Sequence, residues 1–259
     1  MKIVNHKNIN IHYWTFGKGS PIVFLHGFLE DHTMWTSIKK ELIKNYKVIL
    51  IDLPCHGLTR FNGDVCTMKL MAECVHQVLR EEKIINPYIF GHSMGGYVGL
   101  ELLKLTPIKL TLVHSNFWAD SPEKQKDRNR VIDIVKTKKS FFINEAIPNL
   151  FYRKNIKRCE KDIQQLIKKA STIPAQQIIS ATKGMRDRLD NLSLLKRHHI
   201  NIIQGQHDPI IPENAIRNHL NGLKKDKNYY TIKNVGHMSI WEDKKQLMTV
   251  IKQIIFLSI

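Results

Sequence analysis

Three side chains far apart in the sequence have the types and settings of a nucleophile, an acid and a base: Ser93, Asp208 and His237. Ser93 stands in Gly91-His92-Ser93-Met94-Gly95-Gly96, between the apolar run Pro87-Tyr88-Ile89-Phe90 and a helix-like run from Tyr97 to Leu105. A strand reversed into a helix within so few residues puts the serine at the sharp point of the turn, its hydroxyl lifted clear. Gly91 and Gly95 leave room where a Cβ would crowd that turn. A serine hydroxyl is a poor nucleophile at neutral pH and needs a positioned base, which in turn needs a partner to fix its tautomer. Asp208, in Gly205-Gln206-His207-Asp208-Pro209, follows the strand-like run Ile200 to Gln204, and His237, in Val235-Gly236-His237-Met238, follows Tyr229 to Ile232. All three groups are therefore expected at one sheet edge, in the order nucleophile, acid, base that belongs to this kind of elbow.

Asp120, just beyond the strand ending at His114, is an alternative acid, although Asp120-Ser121-Pro122 also reads as the start of a helix. Asp52, before Leu53-Pro54, suits a structural role. An oxyanion hole needs two converging backbone donors, expected from Met94, after the nucleophile, and from Phe28 in His26-Gly27-Phe28. His26 is expected to brace that loop and His92 to support the elbow; Cys55 and His56 have no assigned chemistry. Phe28, Met94 and Trp118 are the expected pocket wall. Trp35, Met238, Phe141, Phe142 and Met185 are further candidates, several of them with core packing as the plainer role.

The elements that must position these groups follow from hydrophobic period. Ile9 to Phe16 alternates like an edge strand, while Ile22 to Leu25 and Val48 to Ile51 are continuous apolar runs suited to strands buried on both faces. Helical spacing marks Thr33 to Lys44 and Thr67 to Glu82, and Ile108 to His114 is a further strand. This alternation predicts a mostly parallel, doubly wound α/β sheet. From Pro122 to Arg197 the strands stop, and three or four helices are expected, with Val131, Ile134 and Val135 on one face and Ile163, Leu166, Ile167 and Ala170 on another. The strand–helix rhythm then resumes with Ile200 to Gln204, a helix at Glu213 to Leu220, Tyr229 to Ile232 and a closing helix at Lys244 to Phe256. The expected organisation is a core in two parts, 1–121 and 198–259, with a helical cap, 122–197, inserted over the edge where such sheets bind ligands.

Composition bounds the reading. A hydrophobic share of 42% and a charged share of 24% are ordinary for a globular chain of 259 residues. The net charge is +17, and the stretch 122–197 carries 19 Lys and Arg against 8 Asp and Glu. Those basic residues are spread thinly, without the aromatic interleaving of a strand-binding groove, so nucleic acid is not the expected partner. The four cysteines have no Cys-x-x-Cys pairing, which argues against a zinc site or a disulfide framework. The first residues lack a signal peptide's apolar run and no later run would span a bilayer, so a cytoplasmic location is expected.

These residues together resemble the α/β-hydrolase superfamily over nearly the whole chain. The resemblance rests on His26-Gly27-Phe28, Asp52-Leu53-Pro54-Cys55-His56-Gly57, the Gly91–Gly96 stretch, Gly205-Gln206-His207-Asp208 and Gly236-His237. It is nearest the small capped bacterial esterases, haloperoxidase-like hydrolases and C–C bond hydrolases. The resemblance implies a sheet of about eight strands, a helical cap after the sixth, and hydrolysis of a small carboxylic ester without metal or organic cofactor. Ser93 argues against the dehalogenases of the superfamily, which use an aspartate nucleophile. Cys55 departs from the glycine common at its position. C–C bond cleavage or elimination, or a ligand sensor that keeps the three residues, remain the alternatives.

Overall fold

The computed structural model describes residues 1–220 and 228–257. Its single sheet has eight strands: β1 (Lys2–His6), β2 (Ile9–Phe16), β3 (Ser20–Leu25), β4 (Tyr46–Ile51), β5 (Tyr88–His92), β6 (Lys109–Val113), β7 (Ile200–Gly205) and β8 (Tyr229–Ile232). Their spatial order is β1-β2-β4-β3-β5-β6-β7-β8. The β1–β2 and β2–β4 pairs are antiparallel and all later pairs parallel. Helices α1 (Thr36–Leu42), α2 (Met68–Glu81) and α3 (Met94–Leu103) belong to the first half of the core. After β6 come α4 (Pro122–Ala146), α5 (Glu160–Ser171), α6 (Ala175–Arg186) and α7 (Leu192–Arg197), then α8 (Glu213–Leu220), α9 (Ser239–Glu242) and α10 (Lys244–Leu257).

The continuous apolar strands are buried on both faces, as their sequence requires. Along β3, Val23 and Leu25 join one core cluster while Ile22 and Phe24 join the other, and β4 divides Ile49 and Ile51 from Val48 and Leu50 in the same way. A third cluster packs α4, α5 and α6 through Ile132, Val135, Ile143, Ile163, Leu166 and Ile178, and it takes in Leu29 and Met238 from two loops at the sheet edge. Hydrophobic contact thus joins the helices after β6 to the loops beside Gly27 and His237.

Some elements differ from their sequence expectation. Strand β1 pairs with β2 through five residues of mixed polarity, Lys2 to His6, too exposed to alternate cleanly. The helix expected over Thr33 to Lys44 is a 3₁₀ turn at His32–Trp35 followed by α1, because Asp31 caps the turn by accepting from Thr33 N–H. In α4, Ile132 rather than Ile134 faces the core: Ile132 is buried and Ile134 is 37% exposed. That helix is interrupted at Lys138, with φ −138° and ψ 49°, so one helical period does not run through it. Trp35 is fully buried against Phe24, ring centroids 4.8 Å apart, which makes it core and not pocket wall. Among the described residues, no helix is long and apolar enough to cross a membrane.

Candidate active site

Parallel register brings the chemistry together. Gly91 lies opposite Leu112, Val113 opposite Ile203, and Gly205 opposite Ile232, so β5 to β8 end at one edge. Ser93 leaves β5 at φ 49° and ψ −114°, a backbone costing a side-chain-bearing residue about 1–3 kcal/mol. Its surroundings enforce that conformation. Ser93 N–H donates to Val113 O at 2.9 Å, and its carbonyl accepts from Gly96 N–H at 2.9 Å and Ser115 Oγ at 2.7 Å. A Cβ on Gly91 would collide with the Gly95 carbonyl, and one on Gly95 with the Leu25 carbonyl, so the elbow packs backbone on backbone.

His237 and Asp208 meet as the sequence predicts. His237 Nδ1 lies 2.8 Å from Asp208 Oδ2, while Asp208 Oδ1 accepts from Ile210 N–H and Ile211 N–H, both at 2.9 Å. A carboxylate accepts only, so Nδ1 carries the proton and Nε2 is left as the basic nitrogen. Both residues are buried. Burial alone would raise the Asp208 pKa, but the His237 and His114 imidazoles outweigh it and hold the carboxyl well below its usual range. His92, next to Ser93, points Nε2 at the His237 carbonyl at 3.0 Å, its ring centroid 5.1 Å from that of His237. Burial works against charge on His92, yet the Glu30 carboxylate 3.5 Å from Nδ1 tips its pKa upward.

The loop after β3 is fixed by its histidine. Leu53 N–H donates to His26 Nε2 at 2.9 Å, so His26 Nδ1 holds the proton and donates to the Gly27 carbonyl at 2.8 Å. Gly27 N–H donates to Glu30 Oε2 at 3.1 Å, and a Cβ on Gly27 would sit 2.6 Å from His92 Nδ1. Phe28 is half-buried where the first and third core clusters meet, and Met94 is fully buried in the first.

Asp120, the alternative acid, does other work. Its Oδ1 accepts from Arg188 Nη1 at 2.6 Å and its Oδ2 from Arg128 Nε at 3.0 Å, so both oxygens are committed to guanidinium groups. Asp52 is structural: Oδ1 accepts from His32 N–H at 2.9 Å and Oδ2 from Leu58 N–H at 2.7 Å. Cys55 keeps φ 74°, the left-handed backbone that glycine favours, and is fully buried. His56 is buried too, and burial lowers its pKa to about 3.

Glu242 escaped the sequence reading. It is 1% exposed, and its Oε1 accepts from Gly236 N–H at 2.9 Å and Met238 N–H at 3.2 Å, one on each side of His237. Oε2 accepts from Tyr152 N–H at 2.9 Å and Asn155 Nδ2 at 2.7 Å, and His237 N–H donates to the Leu150 carbonyl at 2.8 Å. One carboxylate thereby ties the His237 loop to the segment between α4 and α5. The one sequence signal was an acidic residue closing Met238-Ser239-Ile240-Trp241, a run that is otherwise mainly apolar.

A cavity of about 570 Å³ lies between α1 and α5, lined by Asp31, Lys40, Lys169 and Trp241. A second, of about 670 Å³, opens beside the β6 and β7 ends. Trp118 lines it, stacked on His219 at 4.3 Å, together with Tyr97, Asp120, Arg188 and Ile211. Phe141 is 58% exposed, while Met185 and Met238 are core. Donor atoms of His114, Asp208 and His237 fall within 4.8 Å of one another, a separation that could hold a metal. Each of these side chains is also hydrogen-bonded within the set.

Residues 20–115 match the family model of the α/β-hydrolase fold. The chain is 28% identical over 217 residues to a pimeloyl-[acyl-carrier protein] methyl ester esterase of Pseudoalteromonas atlantica, covering 76% of this chain and 80% of that one. It is 26% identical over 214 residues to the dihydrolipoyllysine-residue acetyltransferase component of an acetoin-cleaving system of Pseudomonas putida, covering 77% of this chain but spanning only 55% of that protein's length. The structure superposes on a thermophilic esterase from Thermogutta terrifontis with a TM-score of 0.90 and 25% identity, covering 98% of both chains. The chain therefore has the α/β-hydrolase fold, and the proteins it is similar to include esterases.

Proposed function

We propose that the protein is a serine hydrolase that cleaves small carboxylic esters through an acyl-enzyme. The observation that carries this reading is the 2.8 Å contact of His237 Nδ1 with Asp208 Oδ2 at the sheet edge where Ser93 is held in a strained elbow. His237 Nε2 takes the Ser93 proton as Oγ attacks the ester carbonyl, and Asp208 stabilises the imidazolium that forms. The Phe28 and Met94 backbone N–H groups hold the oxyanion, each worth about 3 kcal/mol in comparable sites. His237 then protonates the leaving alcohol and later activates the water that frees Ser93.

The substrate is an ester with an acyl or aryl group of modest size; Trp118 offers an aromatic wall in the cavity of about 670 Å³, whose lining does not include Ser93, Asp208 or His237. The helices between β6 and β7 act as a cap over the site, an assignment supported by the packing of Leu29 and Met238 against them. The catalytic steps need no metal or organic cofactor. The kinship with a methyl ester esterase favours esters of small alcohols. Labelling with a fluorophosphonate, then an acyl chain-length series of p-nitrophenyl esters, tests the reading. Wild-type protein should be labelled and Ser93→Ala should not; ester hydrolysis undiminished in Ser93→Ala refutes it.

A further inference from the structure

Asp208 has a second histidine. His114 Nδ1 lies 3.3 Å from the same Oδ2 that His237 approaches at 2.8 Å. His114 follows β6 at φ 48° and is completely buried, so the fold keeps an imidazole there in a backbone conformation that L-residues avoid. Its Nε2 lies 2.6 Å from Ser239 Oγ, two residues past His237 and 1% exposed. One carboxylate oxygen thus faces two imidazoles, and the second of them, His114, is backed by Ser239. Substrate has no access to Ser239, so the work of that pair falls on the acid.

The tautomer of His114 decides what that work is. Gly205 N–H also reaches His114 Nδ1, at 3.2 Å, and by itself favours a proton on Nε2. That tautomer would turn the Nδ1 lone pair toward an ionised carboxylate. A hydrogen bond to a charged acceptor is roughly twice as strong as one between neutral groups, so the carboxylate prevails over the amide. The other groups near the ring are His237, with centroids 5.7 Å apart, and His92, at 5.8 Å, backed by Glu30. Burial lowers the His114 pKa to about 4 against the pull of Asp208, so at neutral pH the imidazole donates without adding a charge.

We propose that His114 is a positioning residue: its Nδ1–H donates to Asp208 Oδ2, Ser239 Oγ–H donates to Nε2 to fix that tautomer, and the shared carboxylate moderates the basicity of His237. The proposal rests on the roles given above to Ser93, His237 and Asp208. With the second donor removed, Oδ2 turns wholly to His237, the imidazolium gains stability, and the acid limb of the kcat/KM profile moves to higher pH.

Two kinds of measurement test it. In ¹⁵N-histidine-labelled wild-type protein, the His114 signals should report a protonated Nδ1 and a bare Nε2. Ser239→Ala and His114→Ala should each raise the acid limb by about half to one pH unit, part of the worth of one hydrogen bond to a charged acceptor, and lower kcat more than they change KM. His114→Asn puts an N–H near the Nδ1 position, and asparagine tolerates positive φ, so it should return the limb toward wild type. A proton found on Nε2 overturns the proposal. So does an unmoved acid limb in both alanine variants accompanied only by a lower Tm. If no ester is turned over, the esterase reading fails by itself. The ¹⁵N tautomer and the His237 pKa measured by NMR in the same variants still decide the role of His114.

Discussion

Two buried carboxylates stand near the same sheet edge and do opposite things. Asp208 accepts from two backbone N–H groups and faces two imidazoles. Asp120 accepts from two guanidinium groups, Arg128 and Arg188, and Arg188 also lies 4.1 Å over the Tyr97 ring. An imidazole gains and loses a proton near neutral pH, whereas a guanidinium keeps its own. The first arrangement can therefore move charge, while the second can only fix it. Asp120 sits where the chain leaves the core for α4, and Arg188 where it returns after α6, so their pair fastens the helical excursion at both ends.

The sharpest way to break this comparison is to neutralise each acid in turn. Asp208→Asn keeps the shape but donates toward His237 Nδ1 and stabilises the wrong tautomer, so kcat should fall by about 10⁴-fold with Tm little affected by comparison. Asp120→Asn strands two cations, one of them deeply buried. A broken buried ion pair costs about 3–5 kcal/mol, so thermal denaturation should show a Tm drop of roughly 10 °C, with kcat below the transition falling less than about tenfold. If Asp120→Asn abolishes turnover while Asp208→Asn spares it, the two acids have been assigned the wrong way round.

Next in size is Glu242→Gln, which swaps two acceptor sites for an amide donor facing Tyr152 N–H and Asn155, or Gly236 N–H and Met238 N–H. It should lower Tm by several degrees and also cut kcat, because the loop it loosens is the one that carries His237. A loss of Tm without a loss of kcat would place Glu242 with Asp120, as a fastener only.

How much of this was legible in the sequence follows from which contacts are local. The placement of Ser93, Asp208 and His237 could be read because each follows an apolar run, and parallel strands bring their ends to one edge. The two-faced burial of β3 and β4 was likewise written in unbroken Ile, Val, Leu and Phe. His114, Ser239 and Glu242 could not be read: His114 and Ser239 are 125 positions apart, and Glu242 and Asn155 are 87 apart. Their roles depend on how loops approach once the sheet is closed, and no period or spacing encodes that. In α4 the apolar residues Val131, Ile132, Ile134 and Val135 are nearly contiguous and mixed charge surrounds them, so spacing alone does not separate the buried Ile132 from the exposed Ile134. Between the acids, the neighbouring Pro122 did favour Asp120 as a helix-start residue, yet its two arginine partners lie 8 and 68 residues away.

Acid should separate the two regions by stability as well. His114 and His56 are buried with pKa values lowered to about 4 and about 3, and His26 is lowered too, burial being the chief cause in each. Unfolded, these rings take up protons below about pH 6.5, so the unfolded state binds more protons than the native one as the pH falls from there. Their contribution to stability is complete above that pH and is lost progressively down to the folded-state values. His92 has the opposite sign: its raised pKa contributes below the unfolded value and is lost as the pH rises through the folded one. His76 is lowered as well, so four lowered imidazoles outweigh one raised one, and Tm should drop by roughly 5–10 °C between pH 7 and pH 5.

The smallest expected effect isolates the start of the excursion. Ser121 caps α4 by accepting from Lys124 N–H at 3.3 Å, with Pro122 preset for the first turn. Ser121→Ala removes that acceptor and should cost about 1 kcal/mol, a Tm shift of roughly 2–4 °C, with kcat and the pH profile unmoved. Because Asp120 is the adjacent residue, the double variant Ser121→Ala/Asp120→Asn adds a finer test. If cap and ion pair hold the exit from β6 as one unit, the double variant loses less than the sum of the single losses, and additivity would make them independent fasteners.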